Sequence, residues 1–387
     1  MQAVILAAGK GSRIYPFSEE KPKPLVEVAN KPVLEHNLDQ MLGIIDEVII
    51  VVGYKKDMII ERIGDQYHNI KIKYVVQEEQ LGTGHAVAVV ENEIKNKFLV
   101  INGDDLFSRK DMINVTKFEN CILLKQKNNV SAFGVAVVKE GKVVDLVEKP
   151  KEPISNLVNV GMYCFNPEIF EVLRNIKRSE RGEYEITDAI KYLAFQGKMH
   201  YQEVQGYWIP VGYPWQILEA TEAVLEDDDS SSSIKGKVEE GVIIEGSVDI
   251  GENSVVKSGT LLKGNIVIGN NCVIGENSML IGYTAIANDC IIGSGCGIEN
   301  SIVGEGSNLG NRCAVKDSVL GEGVELSEGV RIENMGGTGA STIKIKTPNK
   351  ELDSGRKKLG AFVADQCKVC KSLNPGDCLT KDCDGKD

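Results

Sequence analysis

AVILAAGKGSRIYPFSEEKPKPL, residues 3–25, is the stretch from which the fold of this chain can be argued. The apolar run over residues 3–8 predicts a buried strand, and it opens directly into a glycine-rich turn. Gly9 and Gly11 would let backbone N–H groups approach a polyanion closely. The same turn carries four cations: Lys10, Arg13, Lys21 and Lys23. The stretch therefore predicts a phosphate site, with an ordinary strand-to-helix turn as the alternative.

Two better-known phosphate motifs are absent from this stretch. The G-x-G-x-x-Ile spacing is not the dinucleotide fingerprint, and no G-x-x-x-x-G-K-[ST] follows it. Neither NAD binding nor a P-loop is predicted.

Composition limits the class of protein. A chain of 387 residues is long enough for two domains, and 42% hydrophobic with 26% charged residues is typical of a globular protein. A net charge of −12 argues against general binding to nucleic acid or to membrane surfaces. The basic turn is thus a local cluster that suits a small anionic substrate.

Location and redox state follow from two further patterns. No run approaches the roughly 18 apolar residues of a membrane span, and no basic leader precedes residue 3, so we expect a cytoplasmic protein. The ten cysteines are scattered through a long chain, whereas disulfide frameworks belong mainly to small secreted domains. We expect mostly reduced thiols.

Strands and helices alternate after the opening stretch. Helices are predicted at 32–42 and 56–64, and strands at 47–52 and 72–76. This alternation predicts an α/β, Rossmann-like sheet, parallel or mixed, with ligands at the carboxyl ends of its strands.

Polar residues follow two of these predicted strands. In QEEQLGTGHA, residues 77–86, the Gln77 amide can pair with a donor and an acceptor on a base edge, and Gly82 and Thr83 can present backbone groups. A plain polar loop is the alternative. In FLVINGDD, residues 98–105, Asp104 and Asp105 come directly after a buried strand, where a carboxylate is well placed to hold Mg²⁺. The family resemblance given below assigns the metal to Asp104, and Asp105 is then expected to cap the following turn.

The run LAAGKGSR, followed by KPKPL, resembles the N-terminal signature of the sugar-phosphate nucleotidyltransferases. The wider pattern is similar to archaeal bifunctional proteins of the GlmU type, in which a nucleotidyltransferase domain precedes a left-handed β-helix. The resemblance implies that the substrates are UTP or dTTP and a sugar 1-phosphate.

The resemblance also implies roles for residues of this chain. Arg13 and Lys23 would hold the phosphates and the leaving pyrophosphate, Asp104 would bind Mg²⁺, and Lys149 would hold the sugar phosphate. The sugar would lie against Gly134, Glu148 and Asn159. The nucleotide would lie against Leu6, Ala8, Gly9, Gly11, Gln77, Gly82 and Thr83.

One departure from the family concerns the metal. The family usually supplies a second ligand from a W-x-D-x-G segment, whereas this chain reads WIPVG at residues 208–212. Pro210 offers no side-chain donor, so Asp104 is expected to work with substrate phosphates and water.

The second half of the chain has a different period. After the polar run DDDSSSS, residues 227–233, aliphatic residues recur every six positions, and this predicts a parallel β-helix. The register slips at Val303 and Leu320, which predicts loops or corners there. We assign residues 1–226 to a nucleotidyltransferase domain, 227–235 to a linker, and 236–387 to a left-handed β-helix with an irregular tail. The aliphatic positions are Val238, Ile244, Ile250, Val256, Leu262, Ile268, Ile274, Leu280, Ile286, Ile292 and Ile298.

Acetyl transfer is expected to be absent or severely weakened. In the family such β-helices are commonly trimeric acyltransferases that use acetyl-CoA, and SGRKKLGAF at 354–362 resembles their archaeal motif. All four histidines precede the linker, however, and Asn311 and Ala314 stand where the catalytic His and Tyr would be. An amide does not titrate near neutral pH and cannot replace an imidazole base.

Cysteines of the second half divide into two groups. Cys272, Cys290, Cys296 and Cys313 each precede an inward aliphatic residue and are predicted to be core residues. The tail cysteines permit a four-thiolate zinc or iron–sulfur site, or core packing with free tail thiols. These are Cys367, Cys370, Cys378 and Cys383.

The sequence thus predicts an enzyme that joins a sugar 1-phosphate, of glucose or N-acetylglucosamine, to UTP or dTTP with release of pyrophosphate. It would use Mg²⁺ and bind neither nucleic acid nor membrane, and the family resemblance implies a homotrimer formed through the β-helix. The alternatives are an acetyl-CoA-dependent glucosamine 1-phosphate acetyltransferase and a non-catalytic regulator that binds NDP-sugars.

Overall fold

The computed structural model describes residues 1–227, 232–336, 341–348 and 350–380. The chain divides into two compact units. The first unit comprises Met1–Lys10, Pro22–Leu25 and Val33–Pro210. The second comprises Gly11–Lys21, Val26–Pro32 and Val211–Asp387. Part of the opening stretch therefore belongs to the second unit.

A ten-stranded mixed sheet forms the centre of the first unit. Strand Gln2–Ala7 lies in parallel between Glu47–Val52 and Phe98–Asn102, so the carboxyl ends of these strands share one edge. The predicted α/β mixed sheet is confirmed. In spatial order the strands are Gly134–Lys139, Lys142–Glu148, His200–Glu203, Cys121–Gln126, Leu157–Phe165, Phe98–Asn102, Gln2–Ala7, Glu47–Val52, Ile70–Val76 and Gln66–Tyr67.

Helices cover this sheet with their apolar faces. Helix Val33–Met41 buries Leu34, Leu38 and Met41, whose spacing of three and four residues forms one apolar stripe. It begins after Pro32 because the short strand Lys31–Pro32 pairs with Glu27–Val28. The other α-helices described in this unit are Lys56–Ile63, Thr83–Ala88, Arg109–Val115, Ile169–Leu173 and Ile186–Phe195.

The second unit contains helix Pro214–Asp227 and a stack of parallel strands that form a β-helix. Val256 pairs with Ile274, and Ile274 with Ile292, at a step of 18 residues per coil. The predicted parallel β-helix is confirmed. One face carries Lys237–Val238, Val255–Val256, Val273–Ile274, Ile291–Ile292, Asn308–Leu309, Glu325–Leu326 and Lys368–Val369.

The remaining strands of the stack branch as the coils progress. Long strands lead into two separate ladders of short strands. They are Ile243–Ile250, Leu261–Ile268 and Met279–Ile286, then Gly297–Glu299, Ala314–Lys316 and Arg331–Ile332 on one branch, and Ile302–Val303, Val319–Leu320, Phe362–Val363 and Cys378–Leu379 on the other. Outside the stack, Lys344–Lys346 pairs with Glu351–Asp353.

The predicted register slip at Val303 is a shortened corner. Val303 pairs with Ile286, which makes this coil one residue shorter than the coils before it. At this corner Asn300 adopts a φ of 45° and donates to Asp317, its counterpart one coil later, at 3.4 Å. The aliphatic positions stay buried on both sides of the slip because the corner absorbs the missing residue.

The cysteines inside the coils are core residues, as predicted. Cys272, Cys290, Cys296 and Cys313 are all buried, and their thiols contact backbone carbonyls of neighbouring coils. The Cys272 thiol lies 2.9 Å from the carbonyl oxygen of Ala287, and the Ser254 hydroxyl donates to Gly269 in the same way at 2.6 Å. A small side chain with a weak donor suits this position.

The cysteines of the tail are only partly described. Cys367 is buried, Cys370 is exposed, and Cys378 is half-buried, while Cys383 lies outside the described residues. Within the described ranges, no group of three or more His, Cys, Asp or Glu side chains gathers to hold a metal. The predicted linker also includes residues outside those ranges, 228–231, so the domain boundary stays a prediction.

No α-helix in the described part of the chain is both long and apolar enough to cross a bilayer.

Adjacent residues of one strand provide a test of the β-helix core. Ile292 points inward and is 1% exposed, whereas Ile291 points outward and is 51% exposed. We expect Ile292→Ala to lower the free energy of unfolding by about 2–5 kcal/mol, because it removes buried methyl groups and leaves a cavity. Urea denaturation followed by circular dichroism measures the loss, with Ile291→Ala as the matched control. Equal losses in the two variants would contradict the inward placement of Ile292.

Candidate active site

Backbone groups at three strand ends converge at the carboxyl edge of the first unit's sheet. The amide of Gly103 donates to the carbonyl of Leu6 at 2.9 Å. The carbonyl of Ala8 accepts from the Tyr54 amide at 3.2 Å and from the Gln80 side chain at 2.8 Å. The predicted nucleotide residues Leu6 and Ala8 are therefore held in place by the neighbouring strands. Gly9, next along the chain, is exposed.

Lys23 and Asp104 meet at this edge. Lys23 begins the 3₁₀ turn Lys23–Leu25, and Asp104 follows strand Phe98–Asn102. The Lys23 ammonium donates to Asp104 Oδ2 at 2.5 Å, although the residues are 81 positions apart. Lys23 is buried, while 35% of the Asp104 side chain is exposed. A buried cation beside a partly exposed carboxylate can face both a phosphate and a metal ion.

Asp105 lies in a strand rather than at a turn cap. Strand Asp105–Phe107 pairs with Trp208–Pro210, and Pro210 stands opposite Asp105. The Trp208 indole donates to Asp105 Oδ2 at 3.1 Å. The cap expected at Asp105 is therefore wrong, because its buried carboxylate serves as an acceptor for the tryptophan.

Gln77 occupies the end of strand Ile70–Val76 and is buried. Its side-chain nitrogen lies 3.3 Å from the carbonyl of Gly82 and 2.9 Å from His85 Nδ1. These contacts hold the Gln77 amide in one position across its own loop. His85 thus contacts Gln77 and helps to hold its amide in place.

The segment 182–190, GEYEITDAI, is packed behind this loop. Gly84 donates to the carbonyl of Tyr184 at 2.8 Å, and the Thr83 hydroxyl accepts from the Ile186 amide at 3.2 Å. Gly82 adopts a φ of 103°, and a Cβ atom there would lie 2.7 Å from the Tyr184 carbonyl oxygen. The sequence alone assigned no chemistry to this segment. Its structural role comes from contacts with Thr83 and Gly84, which lie far away in the sequence and are not revealed by a local pattern.

Gly134, Glu148 and Asn159 form a second cluster. The sheet register places Gly134 directly opposite Glu148. A Cβ atom on Gly134 would lie 3.0 Å from Glu148 Oε2, 3.2 Å from Thr187 Cγ2 and 3.5 Å from the Asn159 Cβ. A side chain at this position would crowd Glu148 and Thr187, and the three predicted sugar residues are neighbours in space.

Asn159 joins this cluster to the strand that precedes Asp104. Its side chain donates to the Tyr163 hydroxyl at 2.7 Å and accepts from the Gly161 amide at 3.0 Å. Gly161 packs so closely on Asn102 that a Cβ atom would overlap the Asn102 side chain. The cluster of Gly134, Glu148 and Asn159 therefore adjoins the Lys23–Asp104 edge, with Gly161 and Asn102 in contact between them.

Charges around Glu148 define the electrostatics of the second cluster. Burial raises the pKa of Glu148 above its ordinary value, although the nearby Lys149 and Arg181 oppose the shift. The Lys149 ammonium lies 3.9 Å from Glu148 Oε1, and its backbone adopts a φ of 44°. Sequence reasoning missed Arg181, which is paired at 2.9 Å with Glu185, because only the fold brings its charge to Glu148.

The raised pKa of Glu148 predicts a stability cost. A folded-state pKa above the unfolded value means that the ionised carboxylate opposes folding at neutral pH. We expect Glu148→Gln to raise the Tm at pH 7, and this advantage should disappear as the pH falls through the raised pKa toward about 4.5, the ordinary value. Thermal melts between pH 4 and pH 8 measure the difference. A lower Tm for the variant at pH 7 would contradict the expected cost.

Gly11 and Arg13 belong to the second unit. Gly11 has a φ of 65° and precedes the 3₁₀ turn Ser12–Ile14, a conformation that favours glycine. The Arg13 guanidinium lies 5.7 Å from the ring centre of Tyr213, which stacks on Trp215. The aromatic pair thereby limits the positions that Arg13 can take.

Predicted acyltransferase positions in the β-helix have structural partners. The Asn311 side chain accepts from the backbone amide of Ser294 at 2.9 Å, as a turn asparagine does. Arg356 of the SGRKKLGAF segment donates to Glu219 through Nε at 3.2 Å and through a terminal nitrogen at 2.9 Å. Its guanidinium is thus paired with a carboxylate rather than presented to an anionic ligand.

Comparison with known proteins matches a family model to each half of the chain. The nucleotidyl transferase model matches residues 2–227, and the GMPPB C-terminal domain model matches residues 236–353. The chain is 43% identical over 261 residues to the bifunctional protein GlmU of Methanococcus maripaludis, an alignment that covers 66% of this chain and 62% of that relative. The chain thus spans less than two thirds of that relative's length.

Two further proteins resemble the chain over different lengths. A bifunctional sugar-1-phosphate nucleotidylyltransferase/acetyltransferase of Sulfurisphaera tokodaii is 35% identical over 375 residues, which cover 95% of this chain and 91% of that protein. A crystal structure of a putative glucose-1-phosphate thymidylyltransferase from Bacillus anthracis superposes with a TM-score of 0.54 at 28% identity, covering 60% of this chain and 98% of that one. Because the first family model spans more than half of its residues, the chain belongs to the nucleotidyl transferase family.

Proposed function

We propose that this protein joins a sugar 1-phosphate to UTP or dTTP and releases pyrophosphate. The observation that carries the proposal is the meeting of Lys23 with Asp104, at the edge where the backbone of Leu6 and Ala8 is held. Family membership and the names of the relatives support the same reaction class.

The reaction needs positioning more than covalent help from the protein. An oxygen of the sugar phosphate attacks the α-phosphorus of the triphosphate, and the bond to the bridging oxygen of the β-phosphate breaks. Pyrophosphate leaves with the electron pair of that bond. Lys23 and Arg13 would offset the charge of the triphosphate and of the leaving group, and Lys149 would orient the attacking phosphate.

Asp104 fits the requirement for Mg²⁺. The ion commonly takes one or two carboxylates from protein and its other ligands from phosphates and water, and the Asp104 side chain is partly exposed. When bound, the ion would neutralise phosphate charge. Because Lys23 already contacts Asp104, the two cations would share one carboxylate, and the phosphates would lie beside both.

The base and the sugar would lie against two different groups of residues in the first unit. Gln77, Gly82 and Thr83 would recognise uracil or thymine, while Gly134, Glu148 and Asn159 would surround the sugar. The buried position of Gln77 and the packing of Gly134 against Glu148 support this division. We assign glucose or N-acetylglucosamine 1-phosphate as the sugar substrate.

A substrate panel tests the proposal. Purified protein with Mg²⁺ is mixed with UTP or dTTP and with glucose 1-phosphate or N-acetylglucosamine 1-phosphate, and pyrophosphate release is followed. At least one pair should turn over. Binding of the NDP-sugar without turnover of any pair would favour the regulator instead.

Acetyl transfer in the β-helix is the second candidate, because bifunctional relatives carry that name. The pairing of Arg356 with Glu219 and the turn role of Asn311 support its loss in this chain. An assay with acetyl-CoA and glucosamine 1-phosphate tests for acetyl transfer. A rate near that of nucleotidyl transfer would mean that the chain carries both activities.

Assembly and location complete the proposal. We propose a cytoplasmic homotrimer formed through the β-helix, whose outward surface exposes Ile243 and Met279 at equivalent positions two coils apart. Burial of these side chains would favour association. Light scattering that gives the mass of a single chain would contradict the trimer.

A further inference from the structure

Lys21 lies in the basic turn but is paired with two carboxylates of the β-helix. Its ammonium contacts Glu322 and lies 3.1 Å from Asp365, all three residues belonging to the second unit. Asp365 also accepts from the backbone amide of Glu322 at 2.9 Å, so the two acids are themselves joined. Lys21 is therefore directed toward protein carboxylates rather than toward a substrate phosphate.

Burial makes this pairing strong. Lys21 is only 9% exposed, and the Asp365 side chain is almost as well buried. Burial by itself would lower the pKa of Lys21, but the charges of Asp365 and Glu322 outweigh it and hold that pKa above its ordinary value. Removal of the cation would leave buried negative charge without compensation, which is costly.

Other contacts hold the same turn and the segment that follows it. The ring of Phe17 packs edge-on against Phe362 of the β-helix, with 6.4 Å between the ring centres. After the KPKPL motif, the Asn30 side chain donates to the carbonyl of Ile286 at 2.6 Å, and the Ala29 amide donates to the Thr221 hydroxyl at 3.2 Å. The chain is thus fixed to the second unit on both sides of the motif.

Chain connectivity then restricts Lys23. Gly11–Lys21 and Val26–Pro32 belong to the second unit, while Pro22–Leu25 between them belongs to the first. Lys23 lies two residues after Lys21, and two residues span at most about 7 Å. The position of Lys23 therefore depends on where Lys21 is held.

We propose that Lys21 is a positioning residue, by which the β-helix carboxylates Asp365 and Glu322 fix the turn that presents Lys23. The role of the β-helix in this chain is then to support nucleotidyl transfer. This inference rests on the proposed function for its kinetic part, whereas its structural part does not.

Nucleotidyl transfer in general does not require a β-helix to fix the turn that presents this lysine. The Bacillus anthracis chain is covered over 98% of its length by 60% of this chain, so it has little length left for a β-helix of this size. The ion pairs of Lys21 are thus a property of this chain's two-unit design.

Hydrogen–deuterium exchange tests the structural part without any substrate. In full-length Lys21→Met, amides of the peptide covering residues 11–25 should exchange at least about 10-fold faster than in the wild-type protein, because the turn loses its buried ion pairs. Lys263→Met is the matched control, since Lys263 pairs with Glu245 on the surface of the same unit. Unchanged exchange in Lys21→Met, or the same increase in the control, would overturn the proposal.

Kinetics tests the positioning role. We expect kcat/KM for the nucleoside triphosphate to fall about 10- to 100-fold in Lys21→Met, with little change in KM for the sugar 1-phosphate, because the displaced group is Lys23. Lys21→Arg keeps the charge and should stay within about 3-fold of wild type. An equal loss in the Arg variant, or a parallel rise in KM for the sugar phosphate, would overturn it.

Two further results can be distinguished from a failure of the proposal: a Lys21→Met variant that does not fold, and a wild-type protein without turnover. If Lys21→Met does not fold, Glu322→Gln replaces it, because Glu322 is partly exposed and its loss leaves Asp365 in place. A smaller increase in exchange is then expected, because Asp365 still pairs with Lys21, and unchanged exchange counts against the proposal. If the wild-type protein turns over no substrate pair, the proposed function fails, while the exchange measurement still decides whether Lys21 anchors the turn.

Discussion

Lys23→Ala is expected to lower kcat/KM for nucleotidyl transfer by at least about 10³-fold while leaving the protein folded. Lys23 is the buried cation at the sheet edge, and its ammonium is held 2.5 Å from Asp104. A cation preplaced beside the transferred phosphate stabilises charge that develops in the transition state, and losses of this size follow when such a group is removed. Pyrophosphate release under single-turnover conditions measures the effect.

The matched control for Lys23 is Lys110→Ala. Lys110 is an exposed lysine of helix Arg109–Val115 in the same unit and should have no effect on turnover. Circular dichroism and a thermal melt establish that both variants fold. A Lys23→Ala protein that is folded and retains more than about a tenth of wild-type activity would remove Lys23 from the proposed machinery.

Asp104→Asn is expected to lower turnover by about 10²- to 10³-fold and to raise the Mg²⁺ concentration needed for half-maximal rate. The amide keeps the size of the side chain but removes the negative charge that would hold both the ion and Lys23. Binding of Mn²⁺, followed by electron paramagnetic resonance in the presence of the triphosphate, measures the metal site separately from activity.

A surface carboxylate provides the control for Asp104. Asp57→Asn changes an exposed acid on helix Lys56–Ile63 and should alter neither turnover nor Mn²⁺ binding. Unchanged Mn²⁺ affinity in Asp104→Asn would show that the metal is held elsewhere. Because Asp104 also pairs with Lys23, its effect and that of Lys23→Ala should be far from additive.

Asp104 and Asp105 are adjacent in the sequence but have different partners, because Asp104 contacts Lys23. Asp105, the next residue, is turned to the buried Trp208 indole, and Pro210 stands opposite it in the paired strand. The segment WIPVG, which stands where the family has W-x-D-x-G, therefore provides a strand that pairs with Asp105–Phe107. We therefore propose Asp104 as the one protein carboxylate for Mg²⁺, with substrate phosphates as its further ligands.

Sequence patterns predicted the elements of the fold because burial on both faces and strict periodicity are local signals. Strand Glu47–Val52 has its predicted bounds, and the parallel stack appears where aliphatic residues recur. The register slip at Val303 was also readable, since a lost residue in a coil shifts every later inward position. Such features depend on neighbours in sequence.

The sequence pointed to some residues of the candidate site and missed or misassigned others. Gly134, Glu148 and Asn159 were proposed as a sugar cluster by resemblance, and the sheet register does make them neighbours. Arg181 was missed, and Asp105 was assigned to a cap, because the partner of each lies far away in the sequence. A polar side chain in a loop does not reveal which distant group it meets.

The opening stretch shows most clearly which features the sequence determines and which features only the tertiary structure decides. By itself the sequence determined that residues 3–25 form a strand followed by a glycine-rich basic turn, because apolar runs and glycines act locally. The residue pattern listed Lys21 and Lys23 among the cations of one turn, and only the family resemblance gave Lys23 a role. Only the tertiary structure decided that Lys23 faces Asp104 and Lys21 faces Asp365, because a buried charge takes the partner that the fold brings to it.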